Sequence, residues 1–190
     1  DTQKKPLWKN ELVWLFLLTS GLFAILYSKF ILGGYAYVFT DTGADTMQIN
    51  YAQYGLFSSL FRSGESGYVL QAGLGMDVSS YYPAYLIPYN LLILLAPQRL
   101  LPWAVLASAY LKMITISLVG YLFYRKLMQD GIGTMAAALA WTFSGYVILW
   151  GQHYGFCTCM ALFTVFMYFL QCYLNGEQRW KSAGLVITVT

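Results

Sequence analysis

Four apolar runs, each long enough to cross a lipid bilayer, are the feature of this sequence that most restricts its fold. A membrane helix needs about 20 apolar residues, because the hydrocarbon core is about 30 Å thick and a helix rises about 1.5 Å per residue. The runs cover residues 12–32, 103–124, 132–150 and 156–174, and a fifth begins near residue 182. The sequence therefore predicts an all-α, polytopic membrane helix bundle.

Composition excludes three other classes of protein. Only 10% of the residues are charged and 58% are apolar, whereas a soluble domain carries about a quarter charged residues. A soluble globular enzyme is therefore excluded. The net charge of +3 is scattered along the chain, which excludes a nucleic-acid-binding surface, and the many aromatic residues exclude a disordered tail.

The three cysteines lie close together in the last long apolar run and form no CxxC pair. They are Cys157, Cys159 and Cys172. Neither a zinc site nor a disulfide framework is indicated by this spacing. We predict that they are packing residues of a membrane helix.

The distribution of Lys and Arg predicts the orientation of the chain, because cytoplasmic loops concentrate these residues. If the shorter run 81–95 does not cross the membrane, the basic residues within 4–9, 125–126 and 179–181 all fall on one side. Prolines that break helical continuity lie in or near this run, at positions 83, 88, 97 and 102. We therefore predict a re-entrant or interfacial segment at 81–95, a cytoplasmic N-terminus and one extracytoplasmic loop at 33–102.

The loop itself contains a predicted amphipathic helix at 47–62 that lies on the membrane surface, followed by a stop rich in Ser and Gly at 63–67. The residues that recur at helical spacing are Met47, Tyr51, Tyr54, Ser58 and Phe61. The final apolar run, 185–190, is too short to cross a bilayer. We expect residues 1–190 to be the N-terminal part of a longer transmembrane domain.

Two carboxylates, Asp41 and Asp45, follow the first apolar run. Asp45 has the spacing of a capping box with Gln48, in which the Asp accepts hydrogen bonds from early helix amides and the Gln side chain bonds back to the amide of the capping residue. A cap and a functional carboxylate are compatible, because a helix N-terminus favours an anion. Asp41 fits an Asx turn in a short Gly-containing segment, and it is the second candidate carboxylate.

Lys112 lies near the middle of a predicted membrane helix, where insertion of a lysine costs about 2.5 to 3.5 kcal/mol. Ser108 and Thr115 share its helical face, which predicts a polar groove inside the bundle. One reading is an internal salt bridge or snorkelling of the side chain. The other is a cation for a phosphate or a carboxylate in a buried cavity.

Histidine and tyrosine supply the remaining candidates. His153 is the only histidine and follows the third run on the predicted outer side, either solvated or acting in proton transfer near Asp45. Nine tyrosines lie between residues 33 and 102. An aromatic belt at headgroup depth explains most of them, and a surface that stacks on sugar rings is the alternative.

The order of these features resembles the bacterial YfhO family of polytopic membrane proteins, whose architecture is similar to the GT-C class of lipid-linked glycosyltransferases. The residues that carry the resemblance are Asp45 and Gln48, Gly73 and Gly75, Tyr81 and Tyr82, Pro88 and Asn90, Lys112, and the segment 141–146. The resemblance implies sugar transfer from a polyprenyl-phosphate carrier to a cell-envelope acceptor, on the outer face of the bacterial cytoplasmic membrane.

The resemblance also implies a role for one residue. Asp45 matches the catalytic carboxylate of the first extracytoplasmic loop, and Asp41 is the second candidate. Lys112, because of its depth in the membrane, is our own candidate for a buried cation that would stabilise the departing lipid phosphate. Gln48 and His153 are expected to bind substrate. Tyr81 and Tyr82 begin the segment that would line the path of the prenyl tail. The resemblance implies no definite cofactor. An Asp-x-Asp pair, which would strengthen metal binding, is absent, so the sequence leaves open whether a divalent metal ion takes part.

Two other classes of function compete with this interpretation. An intramembrane lysine beside interrupted segments is also typical of a transporter or lipid flippase. A non-catalytic membrane scaffold is the third hypothesis. The polar residues gather in one long loop on one side, which favours a one-sided enzyme over a carrier that opens to both sides in turn.

Overall fold

A computed structural model of the protein describes residues 10–39, 45–65, 67–70, 75–79, 87–128 and 130–177. The described chain is mostly helical. Helical segments long and apolar enough to cross a membrane are Gln98–Leu127, Gly131–Trp150 and Tyr154–Leu174. They confirm the coarse prediction of a helical membrane protein. The predicted fifth run, near residue 182, lies outside the described residues.

The first apolar run forms two helices. Helix α1 covers Glu11–Leu26 and helix α2 covers Ser28–Leu32, with a break at Tyr27. The side chain of Asn10 caps α1 by accepting a hydrogen bond of 3.0 Å from the Leu12 amide. Because 16 residues of helix span about 24 Å, α1 alone is shorter than the hydrocarbon core.

Short elements connect this first segment to the long helix that follows. They are a π-helix Thr46–Tyr51, α3 Ala52–Ser63, β1 Tyr68–Val69, β2 Met76–Asp77, a 3₁₀-helix Pro88–Asn90, α4 Leu91–Leu95 and a 3₁₀-helix Gln98–Leu100. The two strands pair antiparallel, with Tyr68 opposite Asp77. Helix α3 ends at Gly64, whose left-handed backbone (φ 73°) is the usual stop of a helix at glycine.

The predicted helix at 47–62 is present, and its buried face agrees in part with the predicted one. Tyr54 and Ser58 of the predicted face are buried, whereas Met47 and Phe61 are exposed. Phe57 and Leu60 are buried as well, because this side of α3 packs against Leu94 of α4. One side of α3 therefore packs on α4 and not on lipid alone.

The remaining helices form the bundle. Helix α5 covers Leu101–Leu127, α6 Gly131–Thr142, α7 Gly145–Trp150 and α8 Tyr154–Leu174. The third predicted run is thus divided between α6 and α7. The division is stabilised by Ser144, whose hydroxyl caps α7 by accepting from the Val147 amide. Helix α5 lies at the centre and packs against α8, α6 and α1.

Buried hydroxyl groups join α1 to α5. Thr19 and Ser117 are hydrogen bonded over 2.7 Å, and Ser20 is bonded to Tyr110 over 2.8 Å. Such bonds between membrane helices contribute about 0.6 to 2 kcal/mol each. The three cysteines lie in α8 with free thiols, of which Cys157 and Cys172 are buried and Cys159 is exposed.

The segment 81–95 is described only from residue 87. Its described part consists of the 3₁₀-helix and α4, and five residues of α-helix are too short to cross a bilayer. Ile93 and Leu94 are fully buried against protein. Whether the whole segment turns back stays a prediction.

Candidate functional site

A hydrogen bond to the tight turn at 151–153, between α7 and α8, joins the chain neighbours of two predicted site residues. The hydroxyl of Thr46 donates a hydrogen bond of 3.2 Å to the main-chain carbonyl of Gln152. Asp45 precedes Thr46 in the chain, and His153 follows Gln152. The start of the π-helix is therefore held against the turn, and these two candidates flank the contact.

Asp45 is exposed and does not act as a cap. Its backbone is already helical (φ −57°, ψ −38°), and its side chain makes no capping hydrogen bond. An N-cap residue normally has an extended backbone, which lets its side chain turn back to the helix amides. Asp45 lacks this backbone, so the predicted capping box is wrong. Gln48 is likewise exposed, on the π-helix.

Lys112 lies inside the bundle, about 16 Å along α5 from its first residue. The side chain is only 2% exposed, so the snorkelling alternative does not hold. Its ammonium group donates a hydrogen bond of 3.2 Å to the main-chain carbonyl of Tyr154. That partner is neutral, and no salt bridge to Lys112 occurs among the described residues. The predicted internal salt bridge is therefore not seen there.

Lys112 lines a small cavity of about 10 Å³. Four tyrosines and a cysteine are among the other lining residues, namely Tyr27, Tyr37, Tyr54, Tyr154 and Cys157. The rings of Tyr54 and Tyr154 are stacked with centroids 5.4 Å apart. The cavity has room for about one water molecule.

Hydrogen bonds of two tyrosines fix the loop above this cavity. The hydroxyl of Tyr154 donates to the Tyr37 carbonyl over 2.5 Å, and the hydroxyl of Tyr37 donates to the Gly151 carbonyl over 3.3 Å. Burial raises the pKa of Tyr37 well above its usual value, so its hydroxyl stays protonated as a donor.

These tyrosines were missed as site residues. The sequence places Tyr37 in an aromatic belt and gives no signal for Tyr154, because their contact joins positions 117 residues apart. A periodic pattern reports the face of one helix and carries no information about such a pair.

His153 occupies the position before α8 and is half-buried between aromatic rings. Its ring centroid is 5.8 Å from that of Trp150 and 5.6 Å from that of Phe156. The side chain makes no capping bond to α8. The imidazole is thus held by packing beside the turn that carries Gln152.

The other predicted site residues lie outside the described part of the chain. They are Asp41, Tyr81 and Tyr82. Within the described part, no group of three or more His, Cys, Asp and Glu residues could hold a metal ion. The described side chains therefore do not form a site for the divalent metal left open by the resemblance.

Comparison of the chain with protein-family models, with curated proteins and with solved structures finds no match.

Proposed function

We propose that the protein is a membrane glycosyltransferase that moves a sugar from a polyprenyl-phosphate carrier to a cell-envelope acceptor on the outer face of the bacterial cytoplasmic membrane. The supporting observation is the turn at 151–153 and the residue after it. Its Gln152 carbonyl binds Thr46, next to Asp45, and the Tyr154 carbonyl binds Lys112. An exposed carboxylate and a buried cation are thereby tied to one short segment.

The two charged groups suit the two ends of a glycosyl transfer. Asp45 accepts the proton of the acceptor hydroxyl while the oxygen of that hydroxyl forms a bond to the sugar C1. The bond from C1 to the carrier phosphate breaks, and the electron pair remains on the phosphate oxygen. Lys112 stabilises the charge that develops there. No step through a metal ion is part of this proposal.

The other predicted residues have supporting roles in the same proposal. His153 and Gln48 lie on the acceptor side, with Asp41 as a second carboxylate. Tyr81 and Tyr82, which lie outside the described residues, keep their expected role beside the prenyl tail. A cavity of about 10 Å³ does not hold a whole phosphate group, so substrate entry requires separation of the side chains that line it, which include Tyr54 and Tyr154.

Lipid transport is the second candidate function. The observation in its favour is the depth of Lys112, which lies inside a helix long enough to span a membrane and is 2% exposed. Intramembrane lysines of this kind mark substrate pathways in carriers. In that case Lys112 would bind a phosphate that moves across the membrane without a sugar being transferred.

A transfer assay separates the two functions. The full-length protein is reconstituted into lipid vesicles with a labelled polyprenyl-phosphate sugar and an extract of cell-envelope acceptors. Label in the acceptor fraction, absent from protein-free vesicles, supports the glycosyltransferase. Movement of the labelled carrier between leaflets with no label in any acceptor would replace it with the flippase.

A further inference from the structure

Ser108 presents an unused hydroxyl to the cavity around Lys112. It lies one turn before Lys112 in α5 and is only 1% exposed. Its oxygen has no hydrogen-bond partner among the described residues. A buried hydroxyl left without a partner costs about 1 to 3 kcal/mol, so a group absent from the protein itself is the expected partner.

Lys112 also has N–H donors without an acceptor among the described residues. An ammonium group has three N–H donors, and Lys112 uses one of them on the Tyr154 carbonyl. The hydroxyl of Thr158 donates to the same carbonyl over 3.2 Å. Both lone pairs of that oxygen are therefore engaged, and it offers nothing to Ser108 or to the remaining N–H groups of Lys112.

Charge favours an anion over water in this position. A buried ammonium group that faces only neutral partners carries a desolvation cost that an opposite charge offsets. A water molecule supplies two lone pairs but brings two hydrogens that need acceptors of their own. An anionic oxygen brings lone pairs alone, so it can accept from Lys112 and from the Ser108 hydroxyl together.

We propose that Ser108 and Lys112 form a buried anion-binding site that takes one oxygen of a phosphate group. A volume of about 10 Å³ accommodates one oxygen atom, so the side chains that line the cavity must separate to admit the rest of the phosphate. That this phosphate belongs to a prenyl carrier rests on the proposed function. Free inorganic phosphate is the other possible ligand with the same chemistry.

The test compares two buried serines of the same helix. Ser108→Ala removes a hydroxyl without a described partner, whereas Ser117→Ala removes one that is bonded to Thr19. The full-length variants and the wild type are reconstituted in vesicles. Binding of farnesyl phosphate and of inorganic phosphate is measured from the rise in midpoint of thermal unfolding, with sodium chloride of equal ionic strength as the control.

We expect Ser108→Ala to lower the affinity for phosphate by about tenfold or more, because the variant loses a hydrogen bond to a charged group. Without ligand, this variant should be as stable as the wild type or more stable. Ser117→Ala should show the reverse, with a lower midpoint and unchanged phosphate affinity. Binding of farnesyl phosphate alone assigns the anion to a lipid, and binding of both probes assigns it to phosphate of either source.

The site is overturned if Ser108→Ala binds both probes as the wild type does, or if neither probe stabilises the wild type more than chloride does. Its failure is distinguishable from that of the proposed function. Ser108-dependent binding without sugar transfer retains the site and rejects the transferase. Sugar transfer with binding that is independent of Ser108 retains the transferase and rejects the site.

Discussion

Thr46 and Gln152 are joined by a hydrogen bond of 3.2 Å between the threonine hydroxyl and the main-chain carbonyl, across 106 positions of sequence. Thr46 is fully buried. The bond holds the first turn of the π-helix against the turn between α7 and α8. Asp45 and His153, which the sequence alone nominates independently, therefore occupy the two positions next to one contact.

Thr46→Val tests whether this contact positions the site. The change keeps the shape of the side chain and removes the hydroxyl, so the free energy of unfolding should fall by about 1 kcal/mol. Sugar transfer should fall as well, because Asp45 loses its anchor. Thr46→Ser retains the hydroxyl and should keep more of the activity. A Val variant with the stability and activity of the wild type would show that the contact is dispensable.

Asp45→Asn tests the carboxylate itself. Because Asp45 is exposed and its side chain makes no capping bond, the change should alter the free energy of unfolding by no more than about 0.5 kcal/mol. Sugar transfer should be lost, since an amide cannot accept the proton of an acceptor hydroxyl. Asp77→Asn, at an exposed carboxylate of the β-hairpin, is the matched control and should remain active. Activity in Asp45→Asn would exclude Asp45 as the base.

The sequence was sufficient to predict the three described helical segments that are long enough to cross a membrane, whereas the first apolar run is broken at Tyr27. Apolar runs of about 20 residues predict membrane helices because length and hydropathy alone satisfy the bilayer. The burial of Lys112 was predicted on the same grounds, from its depth in such a run. Ser108 was placed on the same face by helical periodicity, and both now line one cavity.

The sequence was insufficient where the structure depends on distant contacts or on an irregular helix. The capping box at Asp45 failed because the helix begins in π geometry, which no residue pattern signals here. The sequence left the partner of Lys112 open between a protein carboxylate and a substrate anion, and it gave no signal for the hydrogen bond to the Tyr154 carbonyl. Every residue has a main-chain carbonyl, so the residue type does not indicate which carbonyl will accept a hydrogen bond from a distant side chain.

Cysteine labelling tests the predicted orientation. Arg62 and Met128 are both exposed, and the first lies in the predicted outer loop and the second at the predicted inner end of α5. In intact cells, Arg62→Cys should react with a membrane-impermeant maleimide, and Met128→Cys should react only after the membrane is opened. The wild type, whose exposed cysteine is Cys159 in α8, gives the background. Reaction of both variants from outside would contradict the predicted topology and would indicate that the 81–95 segment crosses the membrane.

The ion pair between Lys126 and Glu177 predicts a pH dependence of stability. The two groups are 2.6 Å apart, and the hydrogen bond from Lys126 lowers the pKa of Glu177. A lowered folded-state pKa stabilises the protein above the unfolded-state value, which is about 4.3, and this stabilisation is lost as pH falls through the folded-state value.

Glu177→Gln should therefore be less stable than the wild type near neutral pH, and the difference should disappear in acid. High salt should reduce the difference, because the carboxylate is at the surface. Denaturant titrations at several pH values provide the measurement. A difference between the two proteins that persists below the folded-state pKa would show that the ion pair is not its cause.

Lys112→Met tests what compensates the buried charge. If a protein carboxylate were the partner, the change would strand that carboxylate and lower the free energy of unfolding by about 3 to 5 kcal/mol. The described partner is a carbonyl that also accepts from Thr158, so removing the ammonium leaves that carbonyl bonded. We therefore expect the ligand-free variant to be no less stable than the wild type, by denaturant titration in mixed micelles.

Lys126→Met is the matched control, since it removes a lysine of the same helix whose partner is a carboxylate. Because this pair is at the surface, its loss should change the free energy of unfolding only slightly. Binding of farnesyl phosphate should weaken in Lys112→Met and stay unchanged in Lys126→Met. A loss of 3 kcal/mol or more in ligand-free Lys112→Met would instead place a carboxylate from outside the described residues against Lys112, and would return this lysine to a structural role.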